Sequence, residues 1–329
     1  MGKIILDIKN LKTYYFIPGG IVKAVDGISF KIKEGEALGI IGESGSGKST
    51  VGWSIIGLLS HPGKIVEGEI FIEDQNILKL DSEEMREIRG KKISMITQSS
   101  MNSLNPLMKI DYQIMETILV NENISKSVAI KRTENILENV GLEPSSFKKY
   151  PHELSGGMKQ RAIIAMALVC RPKLIIADEP TTALDVIVKA QILKLLDDLM
   201  DGLESSSIIF ISHDLSTIVE ICDNIIIMYG GKMMEFATTS KIIKNPLHPY
   251  TKGLLKSYPH IEKEEISLES IPGSPPNMVN LPKGCVFSPR CIYSKNICFK
   301  EPAKMTDVGD NHLVVCHLIQ EREVLYDKR

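Results

Sequence analysis

The fold of this chain is decided by the stretch Ala37-Leu38-Gly39-Ile40-Ile41-Gly42-Glu43-Ser44-Gly45-Ser46-Gly47-Lys48-Ser49-Thr50. Five apolar residues predict a short buried strand, and the pattern from Lys48 to Leu59 predicts a helix. The glycine-rich segment between them fits G-x-x-x-x-G-K-S/T, in which backbone N–H groups and the helix N-terminus surround a phosphate. Lys48 then places a cation on the β- and γ-phosphates of a nucleotide, and the Ser49 hydroxyl is positioned to ligate Mg²⁺.

Two further apolar runs end in polar chemistry. Leu174–Ala177 leads into Asp178 and Glu179, and Ser207–Ser212 leads into His213. Because ligands bind at the carboxyl ends of parallel strands, we expect these ends to share one site with the glycine-rich loop. Asp178 suits the second shell of Mg²⁺, Glu179 suits activation of the attacking water, and His213 suits a hydrogen bond to the γ-phosphate.

Composition excludes several classes of protein. The chain has 329 residues, enough for two domains, and 43% apolar and 24% charged residues, which is typical of globular proteins. Its net charge of −2 gives no global basic field for nucleic acid or an anionic membrane. The longest apolar run, Ala162–Cys170, is too short to span a bilayer, and the first residues lack the pattern of a secretory signal. We therefore expect a cytosolic protein that does not cross the membrane by itself.

A mainly helical insert is predicted within the α/β part, at about residues 99–171. Asp111–Val120, Ser125–Val140 and Met158–Cys170 have helical periodicity. At the start of the last helix, Ser155 is a good N-cap, and Gly156 and Gly157 expose backbone amides. This helix start is a candidate second anion site, although Ser-Gly-Gly alone would be read as an ordinary capped helix.

The C-terminal part is predicted to be loop-rich and to contain a metal centre. After Tyr250 the chain is punctuated by proline and glycine, and we expect few regular elements. Four cysteines follow with the spacing C-x5-C-x6-C-x17-C: Cys285, Cys291, Cys298 and Cys316. Four thiolates suit a metal centre, but the spacing leaves an iron–sulfur cluster, zinc, and free thiols or disulfides open. His312 and His317 flank Cys316; either could replace a ligand, although we expect both to be exposed. Cys170 and Cys222 are expected to be small buried apolar side chains.

The motifs together resemble those of ABC-type ATPases. Their order and spacing match Walker A, Q-loop, signature, Walker B, D-loop and H-loop at Gly42–Thr50, Gln98, Leu154–Gln160, Leu174–Glu179, Ala183-Leu184-Asp185 and His213. The resemblance implies an α/β P-loop ATPase with a mixed sheet core and a helical subdomain. It implies a nucleotide-binding domain at residues 1–255 and a small loop-rich, cysteine-containing extension at 256–329.

The resemblance also implies how ATP is bound. Two ATPase subunits would close head to tail, with Ser155 and Gly157 of one contacting the γ-phosphate held by the other. Gln98 would contact Mg²⁺ and the attacking water, and Tyr15 would stack on adenine, with Tyr14 as the competing candidate. Catalysis would then rest on Glu179, His213, Gln98 and Lys48. The other ATP-binding residues would be Gly42, Ser44, Gly45, Ser46, Gly47, Ser49, Thr50 and Asp178.

Within that family the chain resembles the dipeptide/oligopeptide permease branch, and its D-type ATPase subunit in particular. The resemblance rests on Ser100–Pro106, Ala177–Val186, Pro246–Thr251, Ile271–Pro276 and Gly284–Cys291. It implies a peptide importer at the cytoplasmic face of the membrane, with a homologous ATPase partner, two membrane permease subunits and, indirectly, an extracellular peptide-binding protein. It also implies a 4Fe–4S cluster on the four cysteines, with zinc as the alternative. Other solutes, such as nickel or a glycoside, and a soluble non-transport ABC ATPase are the alternative functions.

Overall fold

The computed structural model describes residues 2–98, 103–182, 184–202, 206–257 and 271–326. The chain divides into two compact units. The first contains residues 1–6, 32–36 and 72–209, and the second contains residues 7–31, 37–71 and 210–329.

Strands and helices alternate along most of the chain. The strands are β1 (Ile4–Ile17), β2 (Gly20–Lys33), β3 (Ala37–Ile41), β4 (Gly63–Ile72), β5 (Gln75–Asn76), β6 (Ile93–Ile96), β7 (Leu174–Asp178), β8 (Ser207–Ser212), β9 (Asn224–Tyr229), β10 (Lys232–Thr238), β11 (Met305–Asp307) and β12 (Leu313–Val315). The helices are α1 (Lys48–Ile56), α2 (Ser82–Ile88), α3 (Ile110–Asn121), α4 (Lys126–Asn139), α5 (Pro144–Phe147), α6 (Gly156–Leu168), α7 (Val186–Asp201), α8 (Leu215–Ile221), α9 (Thr239–Lys244), α10 (Pro249–Lys256), α11 (Asn296–Lys300) and α12 (His317–Tyr326). The α/β class and the mixed sheet predicted from the sequence are confirmed.

The first unit combines two buried parallel strands with the helical insert. β6 pairs with β7 in parallel register, from Ile93 opposite Leu174 to Ile96 opposite Ala177. Helices α3, α4 and α6 pack against one another, and their apolar faces supply buried residues such as Ile114, Leu137 and Ile164. The three predicted helices of the insert are therefore present, each with ends within a few residues of the predicted ones.

The second unit contains a sheet in the order β11-β12-β10-β9-β3. β3 and β9 are parallel, whereas β9 and β10, β10 and β12, and β12 and β11 are antiparallel. A further set of strands in this unit has the order β2-β1-β4. The C-terminal segment is thus less irregular than expected, because β11 and β12 continue the sheet and α10, α11 and α12 accompany them.

A buried carboxylate joins the C-terminal segment to β10. Glu235 is fully buried; it accepts hydrogen bonds from the backbone N–H groups of Leu247 (2.8 Å) and His248 (2.9 Å) and is paired with His312 Nε2 at 2.7 Å. Burial alone would raise the pKa of Glu235, but the hydrogen bonds, that of His312 foremost, hold it below its usual value. His312 and His317 are both buried, which corrects the expectation that they are exposed.

Candidate functional site

The glycine-rich loop follows β3 directly and ends at the first residue of α1. An added Cβ at Gly42 would lie 2.1 Å from the Met228 carbonyl oxygen, and one at Gly47 would lie 1.8 Å from the Ala24 carbonyl oxygen. Gly47 also has a φ of 98°, in the left-handed region that side chains rarely adopt. The loop therefore requires glycine at both positions, which leaves its backbone N–H groups unobstructed for an anion.

Lys48 is folded over this loop rather than extended into solvent. Its ammonium group donates hydrogen bonds to the carbonyl oxygens of Gly42 (2.8 Å) and Glu43 (3.0 Å), and the side chain is buried. The Ser46 hydroxyl is also buried and has no hydrogen-bond partner among the described residues. A buried polar atom without a partner in a loop of this shape fits a bound phosphate.

The remaining predicted loop residues occupy positions open to a ligand. Ser44 and Gly45 are exposed at the tip of the loop, while Ser49 and Thr50 form the first turn of α1 and are half-buried. The positive end of α1 therefore faces the loop, as the motif predicted.

Two predicted catalytic side chains of the first unit are in contact. Gln98 Nε2 donates to Glu179 Oε2 at 2.9 Å, and the Thr182 hydroxyl donates to the same oxygen at 3.0 Å. Glu179 follows β7 with a φ of 47°, in the left-handed region, whereas Asp178 is buried at the strand end. Sequence reasoning missed Thr182, although its position three residues after Glu179 was a usable signal.

The Ser-Gly-Gly helix start lies at the surface. Ser155 caps α6 and accepts a hydrogen bond from the backbone N–H of Met158 at 3.3 Å. Ser155 and Gly156 are exposed, and an added Cβ at Gly157 would lie 2.9 Å from a Val188 methyl group. In the D-loop, Ala183 lies outside the described residues, and Asp185 caps α7 by accepting from the Val188 N–H at 2.9 Å.

His213 and the two tyrosines belong to the second unit, like the phosphate loop. His213 is exposed immediately after β8. The Tyr14 hydroxyl donates to Asp26 at 2.6 Å, whereas the half-buried Tyr15 ring covers Gly63. That the three strand ends form one site, and that Tyr15 rather than Tyr14 contacts adenine, remain predictions.

The four C-terminal cysteines gather in one region. Burial raises the pKa of Cys285 to about 11, and the negative charges of Cys316, Cys298 and Cys291 add to that effect. Burial is also the main cause of the raised pKa values of Cys291 and Cys316. However, no three Cys, His, Asp or Glu side chains among the described residues are arranged to hold a metal ion. The predicted 4Fe–4S cluster, like zinc, is therefore not supported by the geometry.

The histidines and the isolated cysteines have other environments. His312 is paired with Glu235, and His317 Nε2 lies 2.9 Å from the Glu301 carbonyl oxygen, so both histidines have partners away from the thiols. Cys222 is buried, as expected, but Cys170 is only half-buried.

Comparisons with known proteins agree with this geometry. The sequence model of the family described as "ABC transporter" matches residues 25–182, and that of "Oligopeptide/dipeptide transporter, C-terminal region" matches residues 234–298. Among the described residues, no helix has both the length and the apolar character needed to cross a membrane.

Similar curated proteins are peptide-transport proteins. The oligopeptide transport ATP-binding protein OppD of Haemophilus influenzae is 45% identical, covering 97% of this chain and 98% of the relative. OppD of Escherichia coli is 44% identical, with 91% and 88% covered. The dipeptide transport ATP-binding protein DppD of Haemophilus influenzae is 42% identical, with 95% of each covered.

Similar solved structures are ATP-binding cassettes. The dimeric cassette MJ0796, in a post-hydrolysis state bound to ADP and Pi, has a TM-score of 0.64 and 31% identity, covering 71% of this chain and 98% of that one. CbiO1 from Clostridium perfringens, part of an ABC transporter complex, has a TM-score of 0.62 and 29% identity, covering 74% and 92%.

Proposed function

The chain belongs to the family of ATP-binding proteins of ABC transporters, and on that basis we propose that it binds and hydrolyses ATP to drive peptide import. One observation carries the proposal: a phosphate loop and a Gln98–Glu179 pair occur in a chain 45% identical to a peptide-transport ATP-binding protein over 97% of its length. The match to the C-terminal region of oligopeptide and dipeptide transporters favours peptides over nickel or glycosides as the solute.

The loop and the start of α1 hold the phosphates. Lys48 exchanges its bonds to Gly42 and Glu43 for the β- and γ-phosphates, and the unpartnered Ser46 hydroxyl contributes a further hydrogen bond. Ser49 and Gln98 are the residues that would hold Mg²⁺, and Asp178 would support its coordination. Bound Mg²⁺ supplies charge neutralisation on the phosphate oxygens.

Glu179 acts as the general base. Gln98 and Thr182 both donate hydrogen bonds to Oε2, and these bonds orient the carboxylate that would bind the attacking water and accept its proton. His213 would stabilise charge on the γ-phosphate.

The exposed start of α6 suggests that the site is completed by a second ATPase subunit. Ser155 and Gly157 present a helix N-terminus at the surface, which suits an anion held by a facing chain. The similarity to a dimeric cassette supports this arrangement. We propose a homologous partner, hence a heterodimer, with closure of the pair moving two membrane permease subunits.

We further propose that the chain is peripheral, bound to those permease subunits at the cytoplasmic face of the membrane. An extracellular binding protein would deliver the peptide. Co-purification from membranes, followed by uptake of labelled dipeptides, tests both ideas: recovery of membrane subunits and ATP-dependent uptake are expected. Recovery of nucleic acid or ribosomes without membrane subunits would support a soluble ABC ATPase instead.

The role of the cysteine quartet remains a separate proposal. We propose from the donor set alone that Cys285, Cys291, Cys298 and Cys316 bind a 4Fe–4S cluster, with zinc as the alternative. Metal analysis and absorbance spectra of anaerobically purified protein decide between them. A metal-free chain with four titratable thiols in this segment would refute both.

A further inference from the structure

An arginine of the cysteine-rich segment is bound to the phosphate loop. Arg290 lies next to Cys291, and Glu43 is the second residue of the loop. The Arg290 guanidinium forms a two-pronged ion pair with the Glu43 carboxylate, at 2.5 Å and 3.0 Å. The Arg290 side chain is only 6% exposed and that of Glu43 24% exposed, so water screens the pair weakly. Its two-pronged geometry also fixes orientation, unlike that of most surface ion pairs.

Three further groups, besides Glu43, bind the Arg290 guanidinium. Its Nε atom donates to the Pro272 carbonyl oxygen at 2.8 Å, and its terminal nitrogens donate to the Ile271 carbonyl oxygen (3.3 Å) and the Tyr229 hydroxyl (3.2 Å). Arg290 therefore connects a C-terminal loop, a sheet residue and the phosphate loop in one arrangement.

Glu43 continues the connection to the nucleotide-binding lysine. Its backbone N–H donates to the Tyr250 hydroxyl at 3.0 Å, and its carbonyl oxygen accepts from Lys48 Nζ at 3.0 Å. Its carbonyl oxygen also accepts from the Ser46 N–H at 3.2 Å, which closes the turn of the loop. The position of Glu43 thus fixes both the turn and the starting position of Lys48.

Aromatic packing supports the same contact. The Phe287 ring, from the loop between Cys285 and Cys291, lies 5.2 Å from the rings of both Tyr229 and Tyr250. Those two tyrosine rings are 4.7 Å apart. The segment that carries the first two cysteines is therefore packed directly behind the phosphate loop.

We propose that Arg290 is a positioning residue for the phosphate loop, and that the cysteine-rich segment thereby sets the affinity for nucleotide. The inference rests on the proposed ATP binding and adds a part to that site which the ATPase motifs do not contain. Arg290 touches no nucleotide in this role, because its nitrogens are used by Glu43, Tyr229 and the two carbonyl oxygens. A rearrangement of the loop from Cys285 to Cys291 would therefore move Glu43, and with it the carbonyl oxygen that Lys48 binds.

Nucleotide affinity of the full chain, measured with a fluorescent ATP analogue and Mg²⁺, tests the proposal. We expect Arg290→Gln and Glu43→Gln each to raise Kd about tenfold, equivalent to about 1.4 kcal/mol. Because neither side chain meets the reacting atoms, kcat at saturating ATP should change less than twofold while KM rises. Arg290→Lys, which keeps the charge but loses the fork, should lie between wild type and Arg290→Gln.

The double variant separates coupling from general damage. Because each substitution breaks the same Arg290–Glu43 ion pair, the Kd of the Glu43→Gln/Arg290→Gln protein should be no higher than that of the single variant that binds nucleotide less tightly. Lys295→Gln is the matched control, because Lys295 lies in the same segment but pairs with Glu321 at the surface. It should leave Kd at the wild-type value.

Several outcomes would overturn the inference. Unchanged Kd in folded Arg290→Gln and Glu43→Gln proteins, or effects that multiply in the double variant, would each do so. If Arg290→Gln fails to fold, Glu43→Gln and Arg290→Lys report on the same ion pair. A wild-type chain that binds no nucleotide would refute the proposed function itself. That result is distinct from wild-type binding that Arg290→Gln leaves unchanged, which would refute only the role of Arg290.

Discussion

Replacement of Glu179 by glutamine should separate nucleotide binding from hydrolysis. The amide is nearly the same size as the carboxylate, and its oxygen can still accept the hydrogen bonds of Gln98 (2.9 Å) and Thr182 (3.0 Å). The residue therefore keeps its position but loses the ability to take a proton from water. We expect Kd for the nucleotide to stay within about twofold, because a general base would contact the attacking water rather than the phosphates.

The expected loss of rate follows from the role of the missing base. General-base catalysis contributes about 10²–10⁴ in rate, or about 2.7–5.4 kcal/mol of barrier. Steady-state phosphate release at saturating ATP, together with fluorescent-nucleotide binding, measures both quantities. Glu138→Gln, an exposed carboxylate change on α4, is the matched control and should retain the wild-type rate.

Two outcomes would refute this reasoning. A Glu179→Gln protein that hydrolyses ATP within tenfold of the wild-type rate would remove Glu179 from the role of base. A matching loss of nucleotide affinity would instead show that the carboxylate holds the phosphate loop or Mg²⁺ in place.

Three other predictions concern the geometry of the site and its support. Thr182→Val removes one hydrogen bond to the Glu179 carboxylate. A hydrogen bond to a charged group contributes about 1.5–3 kcal/mol, so kcat should fall by about 10- to 150-fold while Kd stays unchanged. A turnover equal to that of the wild type would contradict this prediction. Gly47→Ala should raise Kd for ATP by more than about tenfold, because left-handed strain of about 1–2 kcal/mol adds to a contact of 1.8 Å between the new Cβ and the Ala24 carbonyl oxygen. Gly45→Ala is the control: its φ is 76°, but its Cβ would lie in open space, so Kd should rise less. Equal losses of affinity in the two variants would refute the steric argument. Burial lowers the pKa of His248 to about 4, below its ordinary value of 6.5, so the folded chain keeps this side chain neutral. The free energy of unfolding should therefore fall by up to about 3 kcal/mol between pH 6.5 and pH 4, as the unfolded chain takes up a proton that the folded chain refuses; chemical denaturation of wild type and His248→Asn across that window should show the smaller slope in the variant.

Local sequence was sufficient for the parts of the site that lie close together along the chain. β3 and β8 have the predicted bounds because continuous apolar runs specify buried strands and polar residues end them. Helix α1 ends at Ile56, three residues before the predicted end, because Gly57 adopts a left-handed conformation that caps it. Gly57 is a helix-ending signal in the sequence, but the apolar residues Leu58 and Leu59 after it continue the helical pattern and favoured a later end.

Contacts between segments that are far apart in the sequence could not be predicted from local sequence patterns. β12 is only three residues long, and its partner β10 is remote in the sequence, so no local periodicity identifies it as a strand. His312 and Glu235 are 77 positions apart, and Arg290 and Glu43 are 247 apart. The positions of His312 and His317 beside Cys316 left a ligand role open and favoured exposure, whereas both are buried because of tertiary partners that the sequence does not reveal.

The buried Glu235 has a consequence for any shortened form of this protein. A chain ending before His312 would retain the motifs for ATP but would leave a fully buried anion without its closest side-chain partner. Leaving a buried polar group without its hydrogen-bond partner costs about 1–3 kcal/mol, and more when the group is charged, which is a large fraction of the stability of an ordinary domain. Trimming to a minimal ATPase, or cleavage by a protease in the last strands, should therefore yield an insoluble or rapidly degraded fragment rather than an independent enzyme.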